Sequence, residues 1–130
     1  MLIDSHVHLD DRRYDRDRDD LIKSLKENGV DLVINIGADL QSSIGSVSLS
    51  EDYDNIYAAV GIHPHSAKEM SDSTIDMLRS LAGRDRVVAI GEIGLDFYRD
   101  LSPRDIQRQR FIEQLELAKE VDLPVVIHSR

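Results

Sequence analysis

The sequence predicts an α/β fold built on a parallel sheet. Five short apolar runs alternate with four helical stretches, the pattern of successive β-α-β crossovers. The second to fifth runs are nearly continuous in apolar and β-branched residues, as in strands buried on both faces. All five histidines fall just after such a run, at the end of the sheet where parallel α/β folds carry their ligand sites.

The runs are Leu2-Ile3, Leu32 to Ile36, Ile56 to Val60, Val87 to Ile90 and Leu123 to Ile127. In the first helix Leu21, Ile22 and Leu25 share a face, and Gly29 can end it in a left-handed turn. Leu40, Ile44 and Val47 stripe the second, whose many serines make it a poor intrinsic helix. Ile75, Leu78 and Ala82 stripe the third, before Gly83. In the fourth, Ser102 is the expected cap, Pro103 fits the first turn and Asp105 completes a capping-box-like pattern. Phe111, Ile112, Leu115 and Ala118 are its expected buried stripe. The alternating charges from Asp10 to Asp20 read as a solvated loop and helix start. Strand count alone does not choose between a doubly wound open sheet and a (β/α)8 barrel.

A length of 130 residues suits one domain, and the 41% hydrophobic, 32% charged balance is that of a globular chain. With no cysteine, disulfide scaffolds, thiolate metal sites and cysteine nucleophiles are excluded, which suits a cytoplasmic protein. The N-terminus lacks a basic region with a long apolar stretch, and no apolar run reaches the ~20 residues that span a bilayer, so no membrane partner is expected. A net charge of -9 argues against a broad nucleic-acid-binding surface. It does not exclude a nuclease, because bound divalent ions are the dominant local charges in such a site.

His6 and His8 stand two apart on an extended segment, so both project to one face and can grip one metal ion. Glu92, in Gly91-Glu92-Ile93-Gly94-Leu95-Asp96, offers a carboxylate able to bridge two ions, and its flanking glycines allow close backbone approach. Asp96 can orient a histidine, contact substrate or cap a turn. His63 and His65, around Pro64, can bind a phosphate or pass a proton to a leaving group. His128 is a good single metal ligand, and Arg130 can clamp a phosphate through its planar fork. No GxGxxG follows a strand, and no GxxxxGK[ST] loop or GxSxG elbow occurs. Imidazole and carboxylate donors suit zinc, manganese or iron.

Four segments in order, Ile3 to Asp10, Gly61 to His65, Gly91 to Tyr98 and Pro124 to Arg130, resemble the successive signatures of the TatD family of metal-dependent deoxyribonucleases. The resemblance covers the chain from end to end. It implies a partial (β/α)8 TIM barrel of the amidohydrolase superfamily, with about five strands and four helices of the eight of each. It implies an enzyme that hydrolyses DNA, commonly as an exonuclease, using two divalent ions, with magnesium the usual one and zinc or manganese suited by their donors. By the same likeness His6 and His8 hold one ion, Glu92 bridges two, and His128 holds the second. His63, His65, Asp96 and Arg130 line the substrate side, with His63 and Glu92 catalytic. Since such barrels need ~250 residues, residues 1–130 are expected to be the N-terminal part of one domain. Another histidine ligand and a late aspartate would lie beyond Arg130, and self-association or a complementary C-terminal half would complete the sheet. Two other readings are a superfamily hydrolase of a different ester or amide, and a non-catalytic half-barrel.

Overall fold

A computed structural model describes all of residues 1–130. Five strands form one parallel sheet: β1 Ile3–Val7, β2 Leu32–Ile36, β3 Ile56–Val60, β4 Val87–Leu95 and β5 Val125–Ser129. Four helices connect them: α1 Arg18–Glu27, α2 Leu40–Asp52, α3 Asp72–Ala82 and α4 Arg104–Val121. The strand order is β1-β2-β3-β4-β5 without reversal. A doubly wound sheet reverses at a switch point, whereas a consecutive order with right-handed crossovers puts every helix on one face, as in a barrel. The chain is a half-barrel of the TIM type.

Three strands run further than their apolar cores suggest. β1 extends through His6, β4 through Glu92 to Leu95, and β5 through His128. His128 thus pairs within the sheet, opposite Gly94, whereas His6 and Glu92 stand on their strands where the register shifts, between Asp4 and Val7 and between Gly91 and Ile93. Two 3-10 turns, Arg12–Tyr14 and Pro64–Glu69, add to the expected elements.

Side chains alternate along the strands except where the register shifts, as between Gly91 and Ile93. Ala58, Val60, Ile90 and Ile93 face the helices and join Leu78 and Leu117 in the main core. Val33 and Ile56 meet Ile22 of α1. On the other face Ile36, Ala59 and Ala89 form a small cluster with Ile34 and Val126. The edge strand β1 is largely exposed, and Ile3 and Ile127 lie half open to solvent.

The serines of α2 serve packing. Ser43, Ser46 and Ser50 are fully buried, and the small Ser43 hydroxyl donates to the Gly61 carbonyl and accepts from its N–H. Asp39 and Ser42 cap the helix reciprocally, at 2.7 and 2.9 Å, which offsets its weak intrinsic propensity.

Helix α4 departs from expectation. Pro103 holds the cap position with no side-chain bond, and the Ser102 hydroxyl instead donates to the His65 carbonyl and accepts from Lys68 N–H. The buried face is turned as well: Ile112 is exposed, while Gln107 and Gln114 are buried with Leu117 and Ala118. A polarity stripe misses this, because both amides find backbone partners below. The acidic-basic segment is only partly solvated: Arg18 clamps the loop after β1 by donating to the carbonyls of Leu9, Asp10 and Asp11.

Candidate metal centre

Every histidine and both flagged carboxylates gather at the carboxyl end of the sheet. Two sets of ligand atoms lie within 4.8 Å of one another: His6, His8 and Glu92, and His63, His65 and His128.

Glu92 joins the sets. Its Oε1 lies 3.3 Å from His6 Nε2, and its Oε2 lies 2.9 Å from His128 Nδ1 and 3.8 Å from His63 Nε2. One carboxylate thus turns each oxygen to a different histidine group. The glycines around it are needed. A Cβ on Gly91 would lie 2.6 Å from Val126 Cβ, and Gly94 has a φ of +151°, where any side chain would also strike the His128 carbonyl. These contacts let β4 and β5 approach closely enough for Glu92 and His128 to meet.

Local bonds set the tautomers. His8 Nδ1 lies 2.9 Å from the Ile36 carbonyl, so that nitrogen carries the proton and the Nε2 lone pair is free. The loop holding His8 is pinned by fully buried Asn35, which accepts from Leu9 N–H at 2.6 Å and donates to Asp10 and Ser46. His63 Nδ1 accepts the His65 backbone N–H at 3.1 Å, which leaves Nε2 as the proton-bearing nitrogen of the neutral ring. Burial holds the His63 pKa down to about 4, despite the nearby Glu92, so the ring is neutral at pH 7.

Asp96 lies beneath the rings rather than facing solvent, at 1% exposure. Its Oδ2 is 2.8 Å from His65 Nε2 and 3.0 Å from His128 Nε2. The Arg99 backbone N–H and then these two rings hold its carboxyl well below the usual carboxylate range. As a fixed anion it accepts from Nε2 of both histidines, which leaves Nδ1 of His65 on the far side of its ring and turns Nδ1 of His128 to Glu92. Arg130 is not drawn into this cluster: its guanidinium lies over the Tyr98 ring, 4.4 Å from the centroid.

Two residues that hold the site carry no sequence signal of function. Gln114 accepts from Ile62 N–H and donates to Ile62 C=O, steadying the chain just before His63. Gln107 does the same for Asp96 N–H and C=O. They stand seven apart, on one face of α4. That spacing was the available clue.

The donor set fits divalent ions. Imidazole nitrogens and a shared carboxylate converge, His8 has a free lone pair aimed away from its carbonyl partner, and no lysine or arginine competes for Glu92.

Residues 3–130 match the family described as TatD related DNase. The chain is 42% identical, over its whole length, to a metal-dependent hydrolase of Bacillus subtilis (YabD), of which it covers 51%. It is 37% identical over 129 residues to the 3'-5' ssDNA/RNA exonuclease TatD of Cronobacter sakazakii, covering 99% of this chain and 49% of that one. The crystal structure of a TatD homologue from Escherichia coli (YJJV) superposes with a TM-score of 0.90 at 35% identity, over 99% of this chain and 51% of that one. An amidohydrolase from Saccharomyces cerevisiae shares the fold, with a TM-score of 0.86 at 20% identity, over 99% and 48%. The chain spans about half the length of the curated relatives it matches.

Proposed function

This chain belongs to the TatD related DNase family, and on that premise we propose that it carries most of the metal centre of a phosphodiesterase that hydrolyses DNA, acting as an exonuclease in a completed barrel. The carrying observation is Glu92, whose two oxygens face His6 and His128 separately, as a carboxylate shared by two ions requires. His6 and His8 would hold one ion and His128 the second, with magnesium, zinc or manganese as the candidates. Bound ions of this kind polarise phosphoryl oxygens and lower the pKa of a bound water.

The chain's own groups supply the rest. Neutral His63 would donate an Nε2–H hydrogen bond to the oxygen that departs from phosphorus and steady the charge that develops there. His65, held by Asp96, turns its Nδ1 to the substrate side, and Arg130 answers a phosphate through its fork. Asp96 acts through the rings it binds and does not touch the substrate. The open edges of β1 and β5 are covered by further strands, from a C-terminal half such as the length of its relatives provides.

The test is cleavage of end-labelled single-stranded DNA with magnesium, manganese or zinc, by this chain alone and joined to the remaining strands, beside Glu92→Ala. Metal-dependent shortening that Glu92→Ala abolishes is expected. Intact DNA alongside hydrolysis of small carboxylic esters would assign the centre to another member of the superfamily.

A further inference from the structure

One rung beyond Asp96 and His128, the sheet ends in a shelf of rings and arginines. Phe97 N–H donates to the Arg130 carbonyl at 2.9 Å, and Arg130 N–H donates to the Leu95 carbonyl at 3.2 Å, extending the β4–β5 ladder. The Arg130 guanidinium carbon lies 4.4 Å from the Tyr98 ring centroid. Those of Arg104 and Arg108 lie 4.8 and 5.0 Å from the Phe97 centroid. Tyr98 is 73% exposed, an unusual place for a large ring that contributes nothing to the core.

Charge makes the placement informative. In a chain of net charge -9, six of the twelve arginines form ion pairs with carboxylates: Arg13, Arg18, Arg79, Arg84, Arg104 and Arg110. Arg108 and Arg130 form none and rest on aromatic rings instead. Stacking keeps each guanidinium flat and its N–H edge free for an anion.

We propose that Tyr98 and Phe97, with Arg104, Arg108 and Arg130, dock a nucleotide of a single-stranded nucleic acid beside the metal centre. A base stacks on Tyr98, and backbone phosphates meet the free edges of Arg108 and Arg130. This rests on the phosphodiesterase reading and adds to it where the flanking strand lies and what recognises it. Stacking is open to any base, so the shelf selects unpaired strands over duplex rather than one sequence.

The test is equilibrium binding to this chain in the presence of a chelator, followed by fluorescence anisotropy. The probes are labelled oligothymidylate, oligouridylate and an abasic deoxyribose-phosphate strand of equal length. Tyr98→Ala is expected to weaken binding of both base-bearing strands by about tenfold, the loss of one stacked base, and Tyr98→Phe to restore it. The abasic strand is expected to bind more weakly and to be indifferent to Tyr98. Arg108→Ala and Arg130→Ala are expected to weaken all three and to reduce the salt dependence. Tyr98→Ala binding like the parent, an abasic strand binding as tightly as the others, or no strand binding at all would each overturn the shelf. Tyr98 is exposed, and circular dichroism of the variant checks its fold. Because nothing is cleaved, failure here leaves the hydrolytic reading standing, and failure of cleavage with stacking intact removes that reading alone.

Discussion

Asp96 holds His128 from below: its Oδ2 lies 3.0 Å from Nε2, while the opposite ring nitrogen, Nδ1, lies 2.9 Å from Glu92. The same oxygen reaches His65 Nε2 at 2.8 Å. A single buried anion thus fixes the orientation and tautomer of two rings, the arrangement that sets ligand basicity in histidine metal sites. Asp96→Asn keeps the shape but presents an amide that can donate where the carboxylate accepted. It is expected to weaken divalent-ion binding by about 10- to 100-fold, read by calorimetric titration, with the circular dichroism spectrum unchanged. Unchanged affinity would show that the rings are fixed by packing alone.

Asn35 ties the loop bearing His8 to the sheet. It is fully buried, and it accepts from Leu9 N–H and donates to Asp10 and Ser46. Asn35→Leu leaves the Leu9 N–H without its partner, at a cost of about 1–3 kcal/mol, and frees His8 from its alignment with the Ile36 carbonyl. Urea unfolding is expected to show the loss. Ion affinity is expected to fall more than in a core variant of equal destabilisation, such as Ile22→Val. Equal ion affinities in the two variants would reduce Asn35 to a purely structural role.

Gln107 and Gln114 act as substitute strand backbone, each pairing with both the N–H and the C=O of one residue just past a strand end, Asp96 and Ile62. Gln114→Leu and Gln107→Leu are each expected to cost about 1–3 kcal/mol, the penalty for buried groups left unpaired. The two sites serve different loops, so their costs are expected to add within a few tenths of a kcal/mol. Neutral substitutions would mean that water or rearranged backbone satisfies these groups.

Much of this was legible in the sequence, for physical reasons that differ by element. The strands showed as continuous apolar runs because both faces of a parallel sheet are covered, and histidines placed beside them marked one end of that sheet. β1 was read short because Asp4, Ser5 and His6 are polar, yet the strand runs on past them to Val7, which pairs with Asn35; backbone pairing rather than burial sets its length. Consecutive strand order, which separates a barrel from a doubly wound sheet, is not encoded in periodicity and came instead from the family resemblance. Ser102 read as a cap, and Gln107 and Gln114 lay outside the apolar stripe expected to be buried. Their role depends on which backbone groups the sheet leaves unpaired, and that is fixed only by the tertiary arrangement. Gly91 and Gly94 were recognisable as places of close approach, although the partners they approach, Val126 and His128, lie far along the chain.

The Glu92 carboxylate is the point on which the two ligand groups depend. Glu92→Gln retains the side-chain length and removes both the charge and one oxygen donor, so it cannot serve His6 and His128 alike. In the parent chain, saturating manganese or zinc is expected to titrate as two ions and to stabilise the fold, by about 2.7 kcal/mol when the ion stands at 100 times its dissociation constant. In Glu92→Gln the stoichiometry is expected to fall to one or none, with most of that stabilisation gone. Without added ion the variant, which keeps the side chain's length and shape, is expected to unfold close to the parent. Chemical denaturation with and without the ion measures both effects. Two ions bound with undiminished stabilisation in Glu92→Gln would mean that the histidines hold each ion without a shared carboxylate.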